Sequence, residues 1–356
     1  MHYTFSQYYI YVIFVAVMAA FSYLNKLNRT EVFSFFMYAI MLLFAVLRID
    51  TGADYSTYIE MHEEAGKSYF TDLFSFTEPL YFLLLKVLYF FSDDYWLMFA
   101  VVAIIIYTIL FLAVKKLSID PALSLLLYII VAYYFISINQ LRQSISLVIF
   151  LYSISSIIDK KPGKYYLLNI IGFGFHYSAV MAFLIYPIVN TSFSKKTLTI
   201  IFILSIVLSP VIEKLFVTYL GELDTLYTKY FDIEEYMEKN YLALGKVIVP
   251  NLILIYSLIK FKSFTRYEYS IFMIYFCSIV YYNIFFGKHI FIRPGMYFEI
   301  VTILYIPIFI KKFFDLVTGF IIETLIILYY AFSVTLYGIL INGGQGVVPY
   351  KLIFSR

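Results

Sequence analysis

Residues 48 to 58, Arg48-Ile49-Asp50-Thr51-Gly52-Ala53-Asp54-Tyr55-Ser56-Thr57-Tyr58, gather two carboxylates, a guanidinium, a glycine and two phenols in one short stretch. A turn of this kind could hold an acceptor hydroxyl against a carboxylate while Arg48 binds a phosphate oxygen in forked geometry. An ordinary polar helix exit with an Arg–Asp pair would use the same residues. Glu78-Pro79 comes next, although Pro in a first turn and Glu at the positive end of a helix dipole also amount to plain capping. Arg142 sits among amides in Asn139-Gln140-Leu141-Arg142-Gln143, where it could grip a diphosphate or snorkel at a membrane boundary. His176 follows Gly172-Phe173-Gly174-Phe175 inside an apolar stretch, as a base facing a cavity or as a hydrogen-bonded core residue. Arg293-Pro294-Gly295-Met296-Tyr297 again puts a cation at a helix start, and Pro349-Tyr350 follows Gly343-Gly344-Gln345-Gly346.

Such groups need a reason because the chain around them is built for lipid. Of its 356 residues 63% are hydrophobic and 14% charged, with mean hydropathy +0.86, whereas a soluble domain carries about 25% charged residues. On insertion scales Arg, Lys or Asp at the centre of a span costs about 2.5 to 3.5 kcal/mol. A spanning helix needs roughly 20 apolar residues, so about ten to twelve membrane-embedded segments use nearly the whole chain. The expectation is an all-α, polytopic helical bundle forming a single transmembrane domain over residues 1 to 356. The formal net charge of +3 is scattered among loops and argues against nucleic-acid binding. One cysteine, Cys277, excludes an internal disulfide, and with four histidines it leaves too few soft ligands for a zinc site. No metal is expected, and any present would be held by oxygen. Aromatics reach 22%, with 38 Tyr and 38 Phe, which suits sugar stacking but follows as readily from an AT-rich genome. The apolar stretch from Tyr8 to Leu24 lacks a basic flank before it and reads as a retained first span.

Apolar runs lie near residues 5 to 24, 32 to 47, 79 to 91, 95 to 114, 121 to 137, 143 to 158, 165 to 189, 197 to 217, 246 to 261, 268 to 286, 295 to 310 and 317 to 341. The basic connectors are Lys26 with Arg29, Lys115 with Lys116, Lys160 with Lys161 and Lys164, Lys195 with Lys196, Lys260 with Lys262 and Arg266, and Lys311 with Lys312. Placing all of them inside requires an even number of crossings between neighbours. Two intervals then need a segment that dips in and returns. Glu78 to Phe91, about 14 residues, is short for a span, and Tyr165 to Val189 could bend at Gly172-Phe173-Gly174. Broken helices persist only where protein or a watery cavity satisfies the backbone. The plainer alternative is one basic loop on the wrong side. The first outer loop, 48 to 78, is acidic, and Thr218 to Gly245 reads as an amphipathic interfacial helix or lid.

No phosphate-binding glycine loop is present, so a sugar-nucleotide donor has no home and a lipid-borne donor fits better. The ordered set Arg48-x-Asp50-x-Gly52-x-Asp54-Tyr55-x-x-Tyr58, Glu78-Pro79, Asn139-x-x-Arg142, Phe175-His176, Arg293 and Pro349-Tyr350 resembles the EpsG-like branch of the Wzy-type polysaccharide polymerases. The resemblance implies a bacterial inner-membrane glycosyltransferase of the lipid-linked, multi-span class. It would need no metal or other cofactor and would serve O-antigen, capsule or exopolysaccharide synthesis, including lipopolysaccharide. Such an enzyme moves a growing glycan from undecaprenyl diphosphate to the end sugar of another lipid-linked repeat unit, at the periplasmic or outer face. Its implied partners are the undecaprenyl-diphosphate-linked oligosaccharide, membrane lipid and a chain-length regulator protein.

By the same resemblance Arg142 and Arg293 would neutralise the diphosphate leaving group. Asp50, Asp54 or Glu78 would take the proton of the attacking hydroxyl, with His176 a competing base. Arg48 would join the phosphate site or orient the carboxylates, Tyr55, Tyr58, Tyr297 and Tyr350 would line the sugar path, and Gln143 would contact substrate beside Arg142. The rival readings are a flippase for the same lipid-linked unit, a transferase adding one sugar from a polyprenyl monophosphate, and a multi-span acyltransferase.

Overall fold

The computed structural model describes residues 3–28, 30–74, 78–222, 244–261, 264–285 and 291–355. Arg29, Lys262 and most of the expected interfacial segment of Thr218 to Gly245 lie outside the described residues. The described residues are almost entirely helical, with one isolated bridge between Arg48 and Leu352. Four helices, Phe5–Asn28, Tyr95–Leu117, Leu141–Ile158 and Leu316–Ile341, are long and apolar enough to cross a membrane, and up to six segments qualify if two bent pairs each count once. Shorter apolar helices add to them. The architecture is thus the all-α polytopic bundle expected, divided into two compact units: residues 1–180 with 320–356, and residues 181–319.

In the first unit, α1 (Phe5–Asn28), α2 (Val32–Val46), α3 (Tyr55–Lys67), α4 (Pro79–Phe91) and α5 (Tyr95–Leu117) precede a bent pair, α6 (Pro121–Ile130) and α7 (Tyr133–Asn139). The unit continues through α8 (Leu141–Ile158) and α9 (Pro162–Phe175). Its centre is α8, 83% of whose apolar window is buried, against 22% for α1. Helix starts carry the expected punctuation: the Asp94 side chain accepts from Trp96 N (2.9 Å), the Asp120 side chain accepts from Leu123 N (3.1 Å), and Pro79, Pro121 and Pro162 occupy first turns.

Helices α2 and α5 run antiparallel. Glu31 lies 3.8 Å from Lys115, the Tyr38 and Thr108 hydroxyls are 3.1 Å apart, and Trp96 Nε1 donates to Val46 O at 2.9 Å. The last turn of α2 and the first turn of α5 therefore share one end, so everything between Leu47 and Asp94 leaves and returns there. Helix α4, about 20 Å long at 1.5 Å per residue, is shorter than the helices long enough to cross a membrane. It lies parallel to α3, with Tyr58 against Tyr81 (ring centres 6.0 Å) and Lys86 Nζ donating to Ala65 O (3.1 Å). A Cβ on Gly66 would meet the Tyr89 ring at 2.3 Å, so only glycine allows the approach.

The second expected interruption is displaced. Helix α9 runs unbroken through Gly172 and Gly174, His176 N donates to Gly172 O (3.0 Å), and the chain turns extended only at His176 (φ −161°, ψ 124°). The two glycines serve helix packing instead: a Cβ would come within 3.2 Å of Ser146 Oγ at Gly172 and 2.6 Å of Leu80 at Gly174. A break not expected from the sequence separates α6 from α7, where Ala132 takes φ 77° and the axes bend by 60°.

The second unit holds α10 (Ile185–Asn190), α11 (Lys195–Val207), α12 (Ser209–Glu222), α13 (Leu244–Ile259), α14 (Arg266–Ile284), α15 (Ile292–Glu299) and α16 (Thr302–Phe313). Helix α17 (Leu316–Tyr329) starts there and continues through Tyr330–Ile341 into the first unit. Its basic connectors meet at one end: Lys195 Nζ donates to Ile259 O (3.2 Å), Arg266 to Asn190 Oδ1 (2.9 Å), and Lys312 pairs with Glu268 (2.9 Å). In the first unit Lys26 pairs with Glu323 (2.7 Å), and Lys116 lies over the Tyr152 ring (5.4 Å) near the far end of α8 from Arg142.

Candidate functional site

Three helices of the first unit begin at one place. Asp54 precedes α3, Glu78 precedes α4 and Gln140 precedes α8. The parallel pairing of α3 with α4 brings the first two starts together, and two hydrogen bonds fasten the third: Asp54 N donates to Asn139 Oδ1 (2.7 Å) and Leu141 N to the Tyr58 hydroxyl (3.0 Å). Each start contributes the partial positive charge of its unpaired N–H groups.

Glu78 is buried at the middle of this junction, and both its oxygens are engaged. Oε2 accepts from Arg142 Nη1 at 2.5 Å, and Oε1 lies 2.6 Å from His176 Nδ1. The break after α9 explains the histidine: a helical residue 176 would continue along α9, whereas the extended backbone swings its ring to the carboxylate. Tyr58 is hydrogen-bonded to Arg142 as well, so a chain of contacts runs Tyr58–Arg142–Glu78–His176. Burial pushes the Tyr58 phenol above its ordinary value, Arg142 opposes that rise and the nearby Asp54 carboxylate adds to it. Asp54 itself is half-buried, and its side chain makes no hydrogen bond or ion pair among the described residues. The arrangement can position a cation for an anionic ligand and keep an available carboxylate beside it.

The other candidate residues occupy different settings. Arg48 is 2% exposed and turned inward: Nη1 donates to Thr51 O (2.6 Å), the guanidinium lies 5.0 Å from the Phe99 ring centre, and Tyr11, Tyr55, Tyr107 and Tyr134 surround it. Asp50 is exposed and paired with Lys351. Tyr55 is buried, stacked on Phe99 with ring centres 4.3 Å apart. Tyr350 stacks on Phe44 and donates to Phe44 O (2.8 Å). Gln143 is buried next to Arg142 in the first turn of α8. Arg293 and Tyr297 belong to the second unit, the arginine exposed in the first turn of α15 and the tyrosine buried one turn on.

The structure also recruits residues to which the sequence reading assigned no role of their own. The C-terminal segment lies along the Arg48 to Asp54 turn: Ile49 N donates to Lys351 O (2.9 Å), Gly52 N to Gly346 O (3.0 Å) and Ala53 N to Gln345 O (3.0 Å). Asn139 Nδ2 donates to Gln345 Oε1 (3.0 Å). A Cβ on Gly346 would sit 2.7 Å from Ala53 N, so the close backbone contact demands glycine there. The glycines flanking Gln345 were the available signal.

No curated protein and no solved structure matches the chain. The model of the EpsG family matches residues 31–352, a stretch holding the Arg48 to Tyr58 turn, Glu78, Arg142, His176 and the C-terminal Pro349-Tyr350. On that match across most of its length, the chain belongs to the EpsG family.

Proposed function

We propose that the protein is a polysaccharide polymerase that transfers a growing glycan from undecaprenyl diphosphate to the terminal sugar of another lipid-linked repeat unit. Family membership supports an exopolysaccharide or O-antigen polymerase-type role. The finer reading rests on the Arg142–Glu78–His176 cluster at the meeting of three helix starts. That cluster lies at the end of α8 away from the basic connectors Lys115 with Lys116 and Lys160 with Lys161, the end that the positive-inside rule assigns to the outer face.

In this reading the acceptor hydroxyl oxygen bonds to the anomeric carbon of the donor, and the bond from that carbon to the diphosphate breaks. The hydroxyl proton passes to Asp54, whose carboxylate is paired with no cation among the described residues; Asp50 is taken up by Lys351, and both oxygens of Glu78 are engaged. Undecaprenyl diphosphate leaves carrying the charge that Arg142 and the helix starts stabilise. A planar guanidinium with five donors can hold a carboxylate on one edge and a phosphate on another. Glu78 orients Arg142 and His176. Arg293, carried by the second unit, has no part in this reading.

The test is reconstitution of the purified protein in vesicles with the organism's own undecaprenyl-diphosphate repeat unit, read as a gel ladder. A ladder of many units with release of undecaprenyl diphosphate is expected. Addition of a single sugar, or movement of the lipid-linked unit across the bilayer without extension, would replace this reading with one of its rivals.

A further inference from the structure

Gln345 is a non-glycine residue in left-handed backbone geometry (φ 72°), in a segment whose glycines 343 and 346 take φ 73° and 62°. Glycine would occupy that geometry at lower cost, so the side chain needs a reason to be there. Its Oε1 accepts from Asn139 Nδ2 at 3.0 Å and from Gln140 Nε2 at 3.5 Å. Asn139 in turn presents Oδ1 to the backbone N–H of Asp54 at 2.7 Å. That N–H can only donate, which fixes the orientation of the Asn139 amide and leaves its NH2 to Gln345. The backbone carbonyl of Gln345 accepts from Ala53, the residue before Asp54. Asp54 is therefore held from two directions by residues far away in sequence, through one amide pair.

Resting on the proposed role of Asp54 as base, we infer that Asn139 and Gln345 are positioning residues: their amide pair fixes the start of α3 so that the Asp54 carboxylate meets the acceptor hydroxyl beside Arg142. Neither touches the reacting atoms. A base displaced by about 1 Å loses on the order of 100-fold in rate, which is the scale of effect their removal carries. Gln345→Gly separates this role from a merely structural one, because glycine suits the backbone at 345 and removes only the amide. Gln345→Glu keeps an acceptor for Asn139 Nδ2.

The experiment measures kcat, KM and melting of the purified full chain in the vesicle assay. Gln345→Gly is expected to lower kcat by about 10- to 100-fold with KM within about twofold of wild type, at unchanged melting temperature, and Gln345→Glu to restore most of the loss. In an Asp54→Asn background Gln345→Gly is expected to cost nothing further, because both changes act on one group. Wild-type turnover by Gln345→Gly, or an equal loss in the Asp54→Asn background, overturns the inference. Hydrogen exchange of the 49–58 segment reads the clamp without turnover: faster exchange in Gln345→Gly is expected, and unchanged exchange overturns it. A wild-type chain that builds no ladder while its exchange follows this pattern would sink the polymerase reading and leave the clamp standing.

Discussion

Arg48 and Arg142 begin from similar addresses, each where an apolar run gives way to polar residues, and they end in different environments. Arg142 keeps a side chain 29% exposed and meets a carboxylate at 2.5 Å. Arg48 is enclosed by Phe99 and four tyrosines, with a backbone carbonyl as its hydrogen-bond acceptor. A cation held by aromatic faces and a carbonyl fixes architecture, here the turn that leads into α3. A cation held by a carboxylate at a helix start, with an edge toward the surface, can still take up an anion. In the proposed reading chemistry falls to Arg142 and framework to Arg48.

The largest expected effect comes from removing the carboxylate at the centre of the cluster. Glu78→Gln takes the charge partner from Arg142 and the orienting oxygen from His176, and ladder formation per folded molecule should fall about 100-fold or more. An unchanged ladder would break the contrast at its functional side. Arg48→Ala tests the other side. It leaves a cavity and an unsatisfied Thr51 carbonyl, so stability should drop by about 2–4 kcal/mol while KM for the lipid-linked donor stays near wild type. A raised KM with unchanged melting would make Arg48 a phosphate ligand and reverse its assignment.

A smaller effect concerns pH. His62 on α3 is buried edge-on against Tyr89, and burial lowers its pKa below the ordinary histidine value, with a Ser92 backbone hydrogen bond, Glu63, Asp93 and Asp94 pulling it partly back. The unfolded chain then binds a proton that the folded chain resists. The packing of α3 on α4 should be at full stability above pH 6.5 and weaken as pH falls below it. His62→Leu should flatten that slope in a melting series from pH 7.5 to about 5, a window set by the unperturbed histidine value. A slope that persists in His62→Leu would point to other groups. The smallest effect is at Asp50, whose pair with Lys351 is exposed on both sides. Asp50→Asn should cost under about 1 kcal/mol and leave turnover within about twofold; a large loss of turnover would return Asp50 to the list of bases.

Much of this could be read before the structure. Apolar run lengths gave the helical membrane class, and the stretch before Phe91 was already legible as an apolar helix shorter than a full span. The grouping of Glu78, Arg142 and His176 was visible only as a set of costly residues that needed partners. The inward turn of Arg48 was not legible, because an arginine in a polar turn carries no mark of burial and its shell comes from α1, α3, α5 and α7. Gly172 and Gly174 misled for a physical reason: glycine permits both a break and a close helix contact, and Ser146 and Leu80 decide in favour of contact. The bend at Ala132 lies in an apolar run with no glycine or proline between Ala122 and Ser137 to announce it. The clamp on Asp54 depends on the chain returning at Gln345, which no local pattern states.

Arg142→Ala in the reconstituted vesicles tests the central claim most directly, with protein level and melting matched to wild type. Single, unextended repeat units on their lipid, and no release of undecaprenyl diphosphate, are the predicted result. A ladder of wild-type length from that variant would contradict the assignment of the leaving group to this cluster.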